Sequence, residues 1–274
     1  MLKQRILTAL ILIPLVIAGI IYLPTSAIAG ILAVLLLQGA WEWSRLAGCQ
    51  SNIARVAYVI TMALVLWYCW TVITDQSFTR LLANVAAVGW LLATLWIFFP
   101  SLCKEKSLPN LIVKLLAGIF VIGITWVAMV NQHAQTQQGP LWVLYFMFLI
   151  WIADSGAYFA GRAFGRHKLA PVVSPGKTWE GVAGAALMVL VYAYLAQYWL
   201  PVNAGQMVGV ILVSLFLVPV SVIGDLFESL MKRQSGIKDS GQLLPGHGGV
   251  MDRVDSMTAV FPVTMWIATQ VEFI

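Results

Sequence analysis

The sequence predicts an all-α polytopic membrane protein with about nine transmembrane helices, and three observations lead there. Hydrophobic residues make up 61% of the 274 positions and charged residues 10%, where a soluble domain averages about 25% charged. Mean hydropathy is +0.88. Apolar runs of about 18 residues or more recur from end to end, each long enough to cross the hydrocarbon layer. Lys and Arg, finally, fall almost wholly into alternate loops.

The first run, 6–23, follows Lys3 and Arg5 and has the outline of a signal peptide. No small-residue cleavage site followed by a polar mature region appears, so it reads as a membrane span. The second, 26–43, ends in Trp41-Glu42-Trp43 with Arg45 beyond. That stretch reads as an aromatic belt with a Glu42–Arg45 pair at helical spacing. Spans 56–74 and 81–99 follow. Cys49, Cys69 and Cys103 lie in or beside these spans and form no CxxC, so free thiols are expected rather than disulfides or a zinc site. Spans 111–130 and 141–160 flank NQHAQTQQGP, where His133 reads as a solvated loop residue. Spans 180–200, 206–223 and 257–273 complete the set. A five-helix portion, 1–130, thus precedes a four-helix portion, 141–274, whose loops 161–179 and 224–256 carry the polar chemistry.

With the N-terminus placed in the cytoplasm, every Lys and Arg except Arg80 lies on the inner side. This is a strong positive-inside pattern, and it puts the C-terminus on the opposite face. The formal charge of +5 therefore reports topology, and no nucleic acid is expected as a partner.

Acids are the informative residues, because cations alone would set topology. Asp225 and Glu228 stand three apart at the inner end of span eight, on one face if the helix continues. Asp252 and Asp255 precede span nine, where favourable charge at a helix N-terminus, with Asp255 or Ser256 as cap, is the plain alternative. Two acidic pairs flanking a glycine-rich cationic loop point to a divalent metal held by oxygen ligands. Gly246, Gly248 and Gly249 around His247 allow close approach of backbone N–H groups to a phosphate. Lys232, Arg233, Lys238 and Arg253 supply positive charge beside them. Neither GxxxxGK[ST] nor GxGxxG is present. Asp154 inside span six is a functional-site residue by default, or else the partner of a nearby Lys or Arg. In APVVSPGKTWEG, Ser174-Pro175-Gly176 marks a turn, Lys177 is a second phosphate contact, and Thr178 reads as a helix cap.

Ser229-Leu230-Met231-Lys232-Arg233, then Lys238-Asp239-Ser240-Gly241, then Pro245-Gly246-His247-Gly248-Gly249-Val250-Met251-Asp252-Arg253-Val254-Asp255 form a long, spaced pattern. It resembles the C-terminal signature of the bacterial phosphatidate cytidylyltransferases, or CDP-diacylglycerol synthases. Ser174 to Gly181 and Trp151 to Tyr158 resemble segments of the same family. The likeness covers roughly 141–265, and before that rests on hydropathy and Trp41-Glu42-Trp43. It implies that CTP and phosphatidic acid give CDP-diacylglycerol and pyrophosphate at the inner membrane, with Mg²⁺ and room for a second cation. A homodimer is implied as well. The implied metal ligands are Asp225 and Asp252, supported by Glu228 and Asp255. The implied catalytic set is Asp225, Asp252, Lys232, Arg233, Lys238, Asp239, His247 and Arg253. Lys177, Ser174, Gly246, Gly248, Gly249 and Asp154 are the implied substrate contacts.

The chemistry suits these residue types. A lipid phosphate monoester carries roughly −1.5 to −2 charges at pH 7 and needs no general base, so His247 is expected to donate a hydrogen bond to phosphate. The barrier is the repulsion between that anion and a triphosphate, which cations relieve. Another CTP-using lipid enzyme, a kinase or a synthase acting on an ether or isoprenoid lipid phosphate, is the nearer alternative. A secondary transporter using Asp154 is the remoter one, disfavoured by charges that lie in loops rather than at mid-membrane.

Overall fold

A computed structural model describes residues 13–135, 137–241 and 248–270. Its helices are α1 (Ile13–Tyr22), α2 (Thr25–Ala47), α3 (Asn52–Val72), α4 (Gln76–Phe98), α5 (Leu108–Ala134), α6 (Gly139–Phe164), α7 (Trp179–Leu195), α8 (Ala204–Ser235) and α9 (Met251–Gln270). A short hairpin of β1 (Lys168–Ala170) and β2 (Ser174–Thr178) joins α6 to α7. The protein is an all-α polytopic membrane protein. Among the described residues, α2 to α6, α8, and α7 together with the 3-10 turn that continues it to Tyr198 are each long and apolar enough to cross a membrane, seven in all.

Local chemistry sets the helix ends. Ser51, Asp75, Ser107 and Thr178 side chains accept backbone N–H bonds at the starts of α3, α4, α5 and α7. Asn203 and Gln206 form a reciprocal capping box at α8. Gly48 (φ 112°) and Gly236 (φ 75°) end α2 and α8 in the left-handed region that glycine tolerates.

α9 differs from the other long helices. It packs on α8, α5 and α4 and touches α2 and α6, and Ala259, Val260, Phe261 and Thr264 have at most 1% exposure. A helix enclosed by protein need not be greasy on every face, so Thr258, Thr264 and the charged first turn are tolerated. The lipid-facing role falls to others, with Trp67, Leu91, Phe98, Leu187 and Leu212 all exposed.

Several boundaries depart from the expected spans. α8 continues to Ser235, so 224–235 is helix rather than loop, and α9 begins at Met251 instead of near 257. Asp252 is therefore in the first turn of α9, and neither Asp255 nor Ser256 is its cap. The hairpin lies in a segment read as plain loop. α5 runs on to Ala134, which carries His133 into its last turn. His133 is buried, not solvated: its ring nitrogens lie 2.9 Å from Thr25 Oγ1 and 2.9 Å from the Ile20 carbonyl oxygen, tying α5 to α1 and α2. The three cysteines are free, as expected.

The rotation of α8 is fixed by Phe227. Its ring packs against Trp43 of α2 and Trp90 and Trp96 of α4, with centroids 5.7–6.2 Å apart. At 3.6 residues per turn, Asp225, Glu228 and Lys232 then share another face of the helix. That face meets α9.

Candidate active site

At the shared end of α8 and α9, glycine permits close approach. A Cβ at Gly224 would lie 2.5 Å from the Asp255 carbonyl oxygen and 3.1 Å from Ala259 Cβ. The helices thus cross where Asp225 and Asp255 stand. Half-buried Asp255 stands within electrostatic reach of Asp225, Glu228 and Asp154.

Two lysines answer part of that negative charge. Lys177 Nζ, carried by β2, is 2.7 Å from Asp225 Oδ2, while Asp225 Oδ1 accepts from Ser229 Oγ at 3.2 Å. Lys232 Nζ bridges Glu228 Oε2 at 2.8 Å and Asp252 Oδ1 at 2.7 Å. These last three side chains are only 13%, 2% and 12% exposed, so the charges sit where screening is weak. Asp252 Oδ2 accepts three further bonds, from Ser240 N (2.9 Å), Ser240 Oγ (2.8 Å) and Gly249 N (2.8 Å). Gly248 has φ 80°, and a Cβ there would press on Asp252 Oδ2 at 2.7 Å. Only glycine fits.

The remaining expected residues fall around this centre. Asp154 on α6 is exposed and within electrostatic reach of Lys177 and Asp225. Arg233 Nε donates to the Val173 carbonyl at 3.3 Å, fastening α8 to the hairpin, and Ser174 is half-buried on β2. Lys238, Asp239 and Arg253 are exposed. Thr178 caps α7, accepting from Gly181 N at 3.1 Å. Gly246 and His247, with Pro245, lie outside the described residues. Gly249 is used differently from the expectation: its N–H goes to Asp252, and a Cβ on it would overlap the Glu42 carboxylate.

Glu42 is the residue the sequence reading misassigned. It makes no local pair with Arg45. Its carboxylate accepts from Val250 N and Met251 N at 3.0 Å each and lies 3.0 Å from Ser240 Oγ. Arg45 Nη2 instead donates to the carbonyls of Asp239 (3.2 Å) and Ser240 (2.5 Å). An acid inside an apolar span was the available signal.

The acids therefore form two sets, one at Lys177 and one at Lys232, and Asp225 and Asp252 have different lysine partners. Among the described residues no three carboxylates, histidines or cysteines are close enough to hold a metal ion as they stand. The donor chemistry nevertheless suits a hard cation. The atoms on offer are carboxylate oxygens, and Glu228 Oε1 is buried without a hydrogen-bond partner.

The chain is thus a polytopic membrane protein whose α8, α9 and hairpin gather carboxylates and lysines at one place. The chain belongs to the cytidylyltransferase family, whose model matches residues 3–271. It is 38% identical to the phosphatidate cytidylyltransferase of Haemophilus influenzae, with 96% of each chain covered. It is 40% identical to that of Pseudomonas aeruginosa, with 98% of each covered. The Bacillus subtilis phosphatidate cytidylyltransferase shares 42% identity over 149 residues, 54% of each chain. The likeness read from the C-terminal motifs thus extends through α2 and the rest of the N-terminal half.

Proposed function

We propose that the protein transfers the cytidylyl group of CTP to phosphatidic acid, forming CDP-diacylglycerol and releasing pyrophosphate. The observation that carries this reading is the pair of lysine–carboxylate clusters on α8, α9 and the hairpin, in a chain whose full-length relatives are named for that activity. A phosphate oxygen of the lipid attacks the α-phosphorus of CTP, and the bond from that phosphorus to the bridging oxygen of the β-phosphate breaks. No protein group has to take a proton from the nucleophile, because the phosphate is already ionised. Lys177 and Lys232 can exchange carboxylate partners for substrate phosphate oxygens, which stabilises charge in the transition state. Asp225, Asp252, Glu228 and Asp255 are the residues that would hold Mg²⁺, which would screen the two anions and the leaving pyrophosphate.

Labelled CTP supplied with phosphatidic acid and Mg²⁺ should enter chloroform-soluble lipid with release of pyrophosphate. Absence of incorporation by folded protein in several lipid and detergent mixtures would refute this reading, and release of CDP instead would mark a kinase. Chelation by EDTA should stop incorporation and added Mg²⁺ should restore it; unchanged turnover after exhaustive chelation would exclude the metal role.

A site on the cytoplasmic side of the inner membrane, where CTP is available, is part of this reading, and the positive-inside pattern of the loops supports it. In a cysteine-free background, a cysteine at Arg166 should resist an impermeant maleimide until the membrane is opened, whereas one at Gln137 should react in intact cells. The reverse pattern would invert the topology.

A further inference from the structure

Glu42 sits on α2, outside both lysine clusters, and is 3% exposed. The inner end of α2 that carries it is firmly held. Trp43 Nε1 donates to the Lys114 carbonyl of α5 at 2.8 Å. The Arg55 guanidinium of α3 stacks 3.8 Å over the Trp41 ring and donates to the Trp41 carbonyl at 3.2 Å. From this base the Glu42 carboxylate reaches the two ends of the 241–249 segment. It accepts the N–H groups of Val250 and Met251, at the start of α9, and faces the hydroxyl of fully buried Ser240.

Two glycines close over it. A Cβ at Gly241 or at Gly249 would overlap the Glu42 carboxylate, and the Gly241 Cβ would also lie 3.0 Å from Gly249 Cα. The two ends of the segment therefore meet around a single carboxylate. Ser240 carries the connection onward: its Oγ lies 3.0 Å from Glu42 Oε2 and 2.8 Å from Asp252 Oδ2. With one proton, that hydroxyl donates to one acid at a time, and the Ser240 N–H donates to Asp252 throughout. Arg45, one turn along α2, grips the carbonyls of Asp239 and Ser240. A continuous path thus runs from α2 through Ser240 to Asp252, then to Lys232 and Glu228.

We propose that Glu42, aided by Arg45, is a positioning residue for cytidylyl transfer: it pins the neck of the glycine-rich segment and the start of α9, and so holds Asp252 against Lys232. The inference rests on the transferase reading for its kinetic consequence, though not for its structural one. Glu42 touches no substrate in this role. The Lys177–Asp225 pair is fixed separately by the hairpin, so encounter with CTP should survive loss of the pin.

Glu42→Gln keeps the shape but turns one acceptor oxygen into an NH₂ donor, which cannot satisfy both Val250 N–H and Met251 N–H. A fall in kcat of about 10- to 100-fold is expected, with KM for CTP within about threefold of wild type. By hydrogen exchange, amides in 240–241 and 248–252 should exchange about tenfold faster or more, while α4 and α6 stay protected. A raised KM with normal kcat would make Glu42 a CTP contact and overturn the proposal. Exchange that rises uniformly, or not at all, would overturn it too. A steric test is independent of these: Gly241→Ala should lower kcat about tenfold or more beside Glu42, and by less than about threefold in a Glu42→Ala background, where only the 3.0 Å approach to Gly249 Cα remains. Additive effects would sink the pin. Should wild type fail to make CDP-diacylglycerol, the activity reading falls, while the exchange result still decides whether Glu42 holds the segment.

Discussion

Asp252→Asn is expected to slow cytidylyl transfer by about 1000-fold while leaving a folded protein. Both oxygens of Asp252 are committed, Oδ1 to Lys232 and Oδ2 to three donors from Ser240 and Gly249. Asparagine offers one acceptor and two N–H donors, so no orientation of the amide works. With its oxygen toward Lys232, the NH₂ confronts the Ser240 and Gly249 donors; flipped, it confronts the ammonium. Each orphaned donor costs about 1–3 kcal/mol and the charge-assisted pair is lost as well. A loss of about 4 kcal/mol corresponds to about 1000-fold in rate. Initial rates of label incorporation at saturating CTP, beside gel filtration and thermal melting in detergent, provide the check. A variant within tenfold of wild type would show that Asp252 serves the loop alone.

The membrane architecture was legible because hydrocarbon imposes length and apolarity on any helix that faces it. The partial exception is informative. α9 faces protein, so hydropathy places its start near 257 and assigns its charged first turn, which begins at Met251, to loop. The end of α8 departs from hydropathy for a related reason: Asp225, Glu228 and Lys232 look like loop charges, yet Asp225 pairs with Lys177 of the hairpin, Lys232 with Asp252 of α9, and Glu228 with Lys232 within α8. The lysines and acids of the site were visible as residue types. Their pairing was not, because Lys177 lies in a hairpin whose register, Lys168 opposite Thr178, no helical period encodes. Glu42 shows the same limit at longer range. Its neighbours Trp41, Trp43 and Arg45 supplied a sufficient local explanation, and its partners stand about 200 positions away, beyond any spacing rule.

The second large effect is expected at Lys232, and it separates stability from catalysis. Lys232→Met keeps the length of the side chain but leaves Glu228 and Asp252, 2% and 12% exposed, without their shared ammonium. Breaking a buried pair in this way costs about 3–5 kcal/mol, because the remaining charge stays buried and unpaired. Turnover should fall further, by about 10³- to 10⁵-fold, the range for a cation that stabilises a phosphoryl-type transition state. Lys232→Arg keeps the charge, but a planar fork cannot occupy the point between two carboxylates on different helices, so a loss of about tenfold or more is expected. The decisive variant is the double one. Adding Glu228→Gln to Lys232→Met removes one buried anion along with the cation and should return much of the lost melting temperature. If Lys232 only neutralises Glu228 and Asp252, the double variant should turn over as fast as Glu228→Gln alone. If its ammonium passes to a substrate phosphate during the reaction, the double variant should melt near the wild type yet turn over about 1000-fold more slowly than Glu228→Gln alone, and that is the expected result.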